Sequence, residues 1–176
     1  MNIKSVAVFC GSQSGKNTIY LAHAEMLGTI LAERKLTLVY GGGNAGLMGT
    51  VANKAMQNGG KVIGVIPEIL SDREHANNGI SELHVVKDMH IRKKMMYELC
   101  DMAIILPGGF GTMDELFEMI TWNALKIHEK KIVILNSGNY YDKLIAFIED
   151  MQVETFLYED WKKRITMVST PEEIIW

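Results

Sequence analysis

Met102-Ala103-Ile104-Ile105-Leu106-Pro107-Gly108-Gly109-Phe110-Gly111-Thr112-Met113-Asp114-Glu115-Leu116 decides how the rest of the chain is read. The apolar run Met102 to Leu106 has the length and composition of a buried strand, and a helical pattern begins at Met113. Between them, Pro107 to Thr112 forms a glycine loop with little side-chain bulk. Such a loop leaves backbone N–H groups facing outward at a helix N-terminus, an arrangement that suits a bound phosphate. A tight turn has the same composition, so the position of the loop within a parallel sheet is what favours a site.

The same grammar recurs upstream. Ser5 to Cys10 reads as a strand, Gly11-Ser12-Gln13-Ser14-Gly15 as a loop, and Thr18 to Arg34 as a helix with Ile19, Ala22, Met26, Leu27, Ile30 and Leu31 on one face. Leu36 to Tyr40 predicts a second strand, followed by Gly41-Gly42-Gly43-Asn44-Ala45-Gly46 and the helical stripe Leu47, Met48, Val51, Ala52, Ala55 and Met56. This loop lacks the Lys and Ser/Thr of a P-loop, and no acidic ribose clamp can be placed. Lys61 to Ile66 predicts a third strand. Pro67 to Gly79 is irregular and polar, carrying Glu68, Asp72, Arg73, Glu74, His75, Asn77 and Asn78, and reads either as a cover over a ligand or as a solvated crossover.

Ser81 to Val86 predicts an edge or short internal strand, and Asp88 opens a helix with Ile91, Met95 and Leu99 on a common face. After the central loop come an apolar helix face (Leu116, Phe117, Ile120, Ala124, Ile127), a strand from Lys131 to Leu135, a helix from Asp142 to Met151 and a last short helix at Pro171. Repeated βα order predicts a Rossmann-like α/β fold, an open, mostly parallel sheet with helices on both faces. Right-handed crossovers then bring the loops after Phe9, Tyr40 and Leu106 to one sheet edge.

At 176 residues, the chain is expected to form a single domain, 1–176. Eighteen Lys and Arg are dispersed among 21 Asp and Glu with a formal charge of -3, which gives no reason to expect nucleic-acid binding. Cys10 and Cys100 read as buried apolar residues, too few for a disulfide scaffold or a clustered zinc site. No metal is expected: His90 stands alone, without an H-E-x-x-H arrangement. No run is long enough to span a bilayer, and the expected compartment is the cytoplasm.

Glu115 follows Thr112 by three positions, so Thr-x-x-Glu predicts a capping box. The same carboxylate stands beside a phosphate-sized loop, where it can orient water or stabilise positive charge on a reacting sugar. Arg92 offers a fork of donors for phosphate or ribose. Together they suit hydrolysis of an N-glycosidic bond, whose transition state carries oxocarbenium-like charge. Asp114 is a possible substitute for the acidic role.

Gly41 to Gly49, Met89-His90-Ile91-Arg92-Lys93 and Pro107 to Glu115 together resemble the LOG family, the cytokinin riboside 5'-monophosphate phosphoribohydrolases, over almost the whole chain. Members have often been called lysine decarboxylases, a label that the size of this chain and the lack of a pyridoxal-binding lysine motif fit poorly. The resemblance implies hydrolysis of a nucleoside 5'-monophosphate, AMP or N6-modified AMP, to free base and ribose 5-phosphate, with no cofactor. It implies catalytic roles for Arg92 and Glu115. It also implies a substrate- and phosphate-binding set of Ser12, Gly42, Gly43, Met89, Arg92, Lys93, Gly108, Gly109, Phe110, Gly111 and Thr112. A homodimer is implied, with residues of both subunits near the site and contributions from Met89, Met95, Met96 and the helix carrying Trp122. The alternatives are another nucleotide or sugar-phosphate transformation in the same crevice, or a nucleotide sensor that holds a ligand without cleaving it.

Overall fold

Strands rich in Val, Ile and Leu, apolar on both faces, require helices above and below them. The computed structural model, which describes residues 3–71 and 75–176, supplies both layers. Its elements are β1 (Ser5–Phe9), α1 (Thr18–Glu33), β2 (Thr37–Tyr40), α2 (Gly46–Gln57), β3 (Val62–Pro67), a single-turn α3 (Glu68–Ser71), β4 (Glu82–Val86), α4 (Met89–Leu99), β5 (Met102–Ile105), α5 (Phe110–Ala124), β6 (Lys131–Leu135), α6 (Asp142–Val153) and β7 (Ile165–Val168).

The strands form one sheet in the order β4-β3-β2-β1-β5-β6-β7, with every pair parallel. This is the Rossmann-like open sheet. Alternation along each strand sorts the core into two layers. Val6 and Val8 of β1 pack with Leu27, Leu31, Val51 and Ala55 of α1 and α2. Ala7 and Phe9 face the other way, onto Met96, Tyr97, Leu116 and Met119 of α4 and α5 and Ile145 and Ile148 of α6.

The chain leaves β1 toward one edge, reaches β4, and returns beneath the sheet through α4, which packs against β1, β2, β3 and β4, before adding β5 on the other side of β1. Strand order therefore reverses between β1 and β5. At such a switch point the loops beyond the carboxyl ends diverge and open a crevice. β4 is an edge strand, and Glu68 to Ser71 of the irregular stretch are helical. Asp72, Arg73 and Glu74 of the expected cover lie outside the described residues.

Two helix faces differ from those expected. α4 buries Arg92, Lys93, Met96 and Tyr97, whereas Ile91 is exposed. Two cations can occupy the covered face because each finds acceptors there. α5 buries Thr112, Glu115, Leu116, Met119 and Asn123, leaving Phe117, Ala124 and Ile127 outside.

Candidate active site

The crevice between the β1 and β5 ends encloses about 210 Å3 and is lined by Cys10, Gly11, Ser12, Gly41, Met48, Arg92, Gly109, Phe110, Gly111, Thr112 and Glu115, above Val8 and Phe9. Arg92 comes from the first turn of α4. That helix is started by Asp88, whose Oδ1 accepts from the Ile91 N–H at 2.9 Å. The arginine is 5 % exposed and Glu115 is 6 % exposed, so neither extends freely into solvent.

Backbone acceptors aim the guanidinium. Its Nε donates to Val65 O at 3.1 Å, Nη2 to Gly41 O at 3.4 Å, and Nη1 stands 3.8 Å from Met89 Sδ and 4.0 Å from Glu115 Oε1. Gly41 has no room for a side chain, because a Cβ there would stand 2.1 Å from Arg92 Nη2. The residue that follows β2 is small so that a charge from α4 can fit against it.

The capping box between Thr112 and Glu115 is not formed. α5 begins at Phe110, with Gly109 as a cap residue that contributes no side-chain bond, so Thr112 is the third helical residue. Thr112 is buried, and Glu115 lies one turn further in, facing Arg92 rather than the helix start. The first intrahelical bond runs from Met113 N–H to Gly109 O. The N–H groups of Phe110, Gly111 and Thr112 thus have no acceptor within the helix, and all three residues line the crevice. This is a donor-rich, electropositive end, suited to a phosphate.

The neighbouring glycine loop is built differently. At the N-terminus of α2, the N–H groups of Leu47 and Met48 both point to Gly11 O, at 3.1 and 3.3 Å. Gly42 O accepts from Asn77 N–H at 2.9 Å, and Gly43 pairs with Ala76. Gly42 and Gly43 therefore face residues 75–77 and do not line the crevice. Ser12 does; Gly108 lies just behind it, against Thr112.

Lys93 points away from the crevice floor. Its Nζ bonds Asp114 at 3.0 and 3.2 Å and approaches Glu118 at 3.0 Å. Burial by itself would lower its pKa, but the hydrogen bonds to Glu118 and Asp114 outweigh that and raise it. Asp114, half-exposed and tied to Lys93, is absent from the crevice lining, so among the described residues Glu115 is the carboxylate present there. Met96 is fully buried within the subunit core and offers no surface to a partner.

Sequence reading placed Cys10 in the core, where it is buried, and offered the Gly11 to Gly15 and Gly41 to Gly46 loops to a ligand only as whole loops, without singling out Gly11, Gly41 or Met48 as lining the site. Their signal was position, at or just beyond the carboxyl ends of β1 and β2 or in the first turn of α2. Tyr140 and Tyr141 were also missed; they follow the turn after β6 and donate to Gly108 O and Leu106 O, each at 2.6 Å.

The chain matches a family model described as possible lysine decarboxylase over residues 48–176. It is 48% identical over 173 residues to the cytokinin riboside 5'-monophosphate phosphoribohydrolase of Rhodococcoides fascians, covering 98% of this chain and 87% of that protein. It is 43% identical over 172 residues to the cytokinin riboside 5'-monophosphate phosphoribohydrolase LOG7 of Arabidopsis thaliana, covering 98% of this chain and 79% of that protein. Among solved structures, a molybdenum cofactor binding protein from Rippkaea orientalis superposes with a TM-score of 0.71 at 21% identity, covering 98% of this chain and 93% of that one. At that identity the likeness is one of fold.

Proposed function

The chain belongs to the LOG family, and from that membership we propose that it hydrolyses the N-glycosidic bond of a nucleoside 5'-monophosphate, AMP or an N6-modified AMP. Water adds to C1' of the ribose, the C1'–N bond breaks with its electron pair going to the base, and the base leaves protonated, giving ribose 5-phosphate. The observation that carries the reading is the buried Arg92 and Glu115 pair on the floor of a crevice whose rim is the open first turn of α5.

In this mechanism the phosphate sits on the N–H groups of Phe110, Gly111 and Thr112, with Ser12 opposite. Arg92, fixed by Val65 O and Gly41 O, holds substrate oxygens, and Glu115 stabilises the oxocarbenium-like ribose and orients water. A decarboxylase reading gains no support from Lys93, whose amine is held by Asp114 and Glu118.

A homodimer is part of the proposal, with residues 1–176 of each subunit acting as one domain. Supporting it are the exposed apolar residues Phe117 of α5 and Leu125 and Ile127 just beyond its end, and the 97 % exposure of Phe110 at the crevice rim. No described helix is long and apolar enough to cross a membrane. The cytoplasm is the proposed compartment.

The test is to incubate purified protein with AMP and with N6-isopentenyl-AMP and to resolve free base from ribose 5-phosphate. Release of both products in equal amounts supports the hydrolase. Tight binding without release would identify a nucleotide-binding protein instead.

A further inference from the structure

The turn that feeds α5 contains three consecutive carbonyls, the outer two accepting from neighbouring tyrosines after β6 and the middle one from the loop after β1. Leu106 O accepts from the Tyr141 hydroxyl at 2.6 Å, Pro107 O from Gly11 N–H at 3.0 Å, and Gly108 O from the Tyr140 hydroxyl at 2.6 Å. In a trans peptide the N–H points opposite to the carbonyl. Holding Gly108 O toward Tyr140 therefore turns the Gly109 N–H to the other side, away from the tyrosine.

Gly108 packs against Thr112 and Gly109 O accepts from Met113 N–H at 3.1 Å, but the peptide between them joins two glycines, whose backbones rotate at low cost, and apart from its chain neighbours no atom lies within 4 Å of where a Gly109 Cβ would be. Tyr140, by contrast, is well braced. Its ring meets Tyr20 of α1 edge-on at 5.6 Å and Tyr141 at 4.8 Å, and Tyr141 is buried in the core. The hydroxyl is thus presented to Gly108 from a fixed position, although Tyr140 is itself 44 % exposed.

We infer that Tyr140 is a positioning residue: its hydroxyl locks the Gly108–Gly109 peptide so that the Gly109 N–H joins those of Phe110, Gly111 and Thr112 in holding the 5'-phosphate of the substrate. The inference rests on the phosphoribohydrolase reading for the identity of that ligand. It assigns the turn after β6 a part in phosphate affinity and none in bond cleavage.

Tyr140→Phe removes the hydroxyl and keeps the braced ring. Calorimetric titration with ribose 5-phosphate should show binding weakened about three- to tenfold, the loss of one hydrogen bond. KM for AMP should rise by a similar factor while kcat and Tm stay near wild type, and affinity for free adenine should not change. Tyr140→Leu, which also removes the brace, should lower Tm as well. Equal ribose 5-phosphate affinity in wild type and Tyr140→Phe would overturn the inference, as would parallel losses for ribose 5-phosphate and adenine. Failure of the wild type to bind ribose 5-phosphate would overturn the inference, whereas the hydrolase reading falls only if AMP is not cleaved. A wild type that binds ribose 5-phosphate without cleaving AMP, alongside a weakened Tyr140→Phe, would sink the hydrolase reading and leave the tyrosine's role standing.

Discussion

Arg92 Nη1 stands 4.0 Å from Glu115 Oε1, longer than a good hydrogen bond, while both side chains are more than nine-tenths buried. The arginine makes its firmest bond to a backbone acceptor, Val65 O at 3.1 Å. Held from behind, it leaves Glu115 at a separation that a substrate oxygen can bridge.

Glu115→Gln keeps the shape of the side chain and removes its charge. If the carboxylate stabilises the ribosyl cation and orients water, kcat should fall by about 10²- to 10⁴-fold with little change in KM. Measurement needs only base release at saturating AMP, with a thermal melt to verify folding. Wild-type turnover in the folded variant would remove Glu115 from the chemistry.

Arg92→Ala takes the guanidinium donors away from Val65 O and Gly41 O and removes the cation facing the buried Glu115 carboxylate. A stability loss of about 3 kcal/mol is expected, read from urea unfolding. Arg92→Lys separates folding from function. It preserves charge but not the fork, so it should recover part of the stability while kcat/KM for AMP stays low.

Lys93→Met tests whether the neighbouring cation binds substrate or holds helices together. Asp114 and Glu118 lose a shared partner, and Glu118 also accepts from the Tyr97 hydroxyl at 2.8 Å. The expected result is a stability loss of about 1.5 to 3 kcal/mol with KM for AMP unchanged. A raised KM at unchanged stability would instead make Lys93 a phosphate ligand.

Glycine at 108 can be tested in the same way. A Cβ there would meet Thr112 Oγ1 at 2.1 Å and Gly11 N at 3.0 Å, so Gly108→Ala should cost about 1 to 3 kcal/mol through overpacking. Gly109→Ala meets no atom within 4 Å and should leave the melt unchanged. Equal melting temperatures for the two variants would show that the turn can yield.

The sequence made the sheet legible because its signals are local: Val6 to Phe9, Leu38 to Tyr40 and Met102 to Ile105 are continuous apolar runs that require cover on both faces. Helix orientation was harder to read. On α4, hydrophobicity favoured Ile91, but Arg92 and Lys93 are buried because their acceptors come from β2, β3 and α5, separations that no helical periodicity records. The start of α5 was misplaced for a related reason. Phe110 to Thr112 reads as loop by composition, yet these residues are helical, with Thr112 packed against Gly108. Similarly, Gly41 to Gly46 and Pro107 to Thr112 look equivalent as glycine loops. A single carbonyl, Gly11 O, occupies the helix start after the first, while the N-terminus of α5 borders the crevice.

His23 carries a pH dependence that can be measured apart from activity. It lies buried on α1, with Nδ1 2.7 Å from Ser137 Oγ in the turn after β6. Burial lowers its pKa, and the charge of Glu172 opposes that only in part. Above the unfolded-state value of about 6.5, both states hold the ring neutral and its contribution to stability is complete. As pH falls below that value, the unfolded chain binds a proton that the folded chain resists, so stability declines until the lowered folded pKa is reached. The slope for one such group approaches about 1.4 kcal/mol per pH unit. His128, also lowered by burial and then by Lys130, adds a slope of the same sign. His23→Gln should therefore flatten, without abolishing, the fall in unfolding free energy as pH drops below about 6.5. Parallel curves for wild type and variant would mean that His23 titrates alike in the folded and unfolded chains.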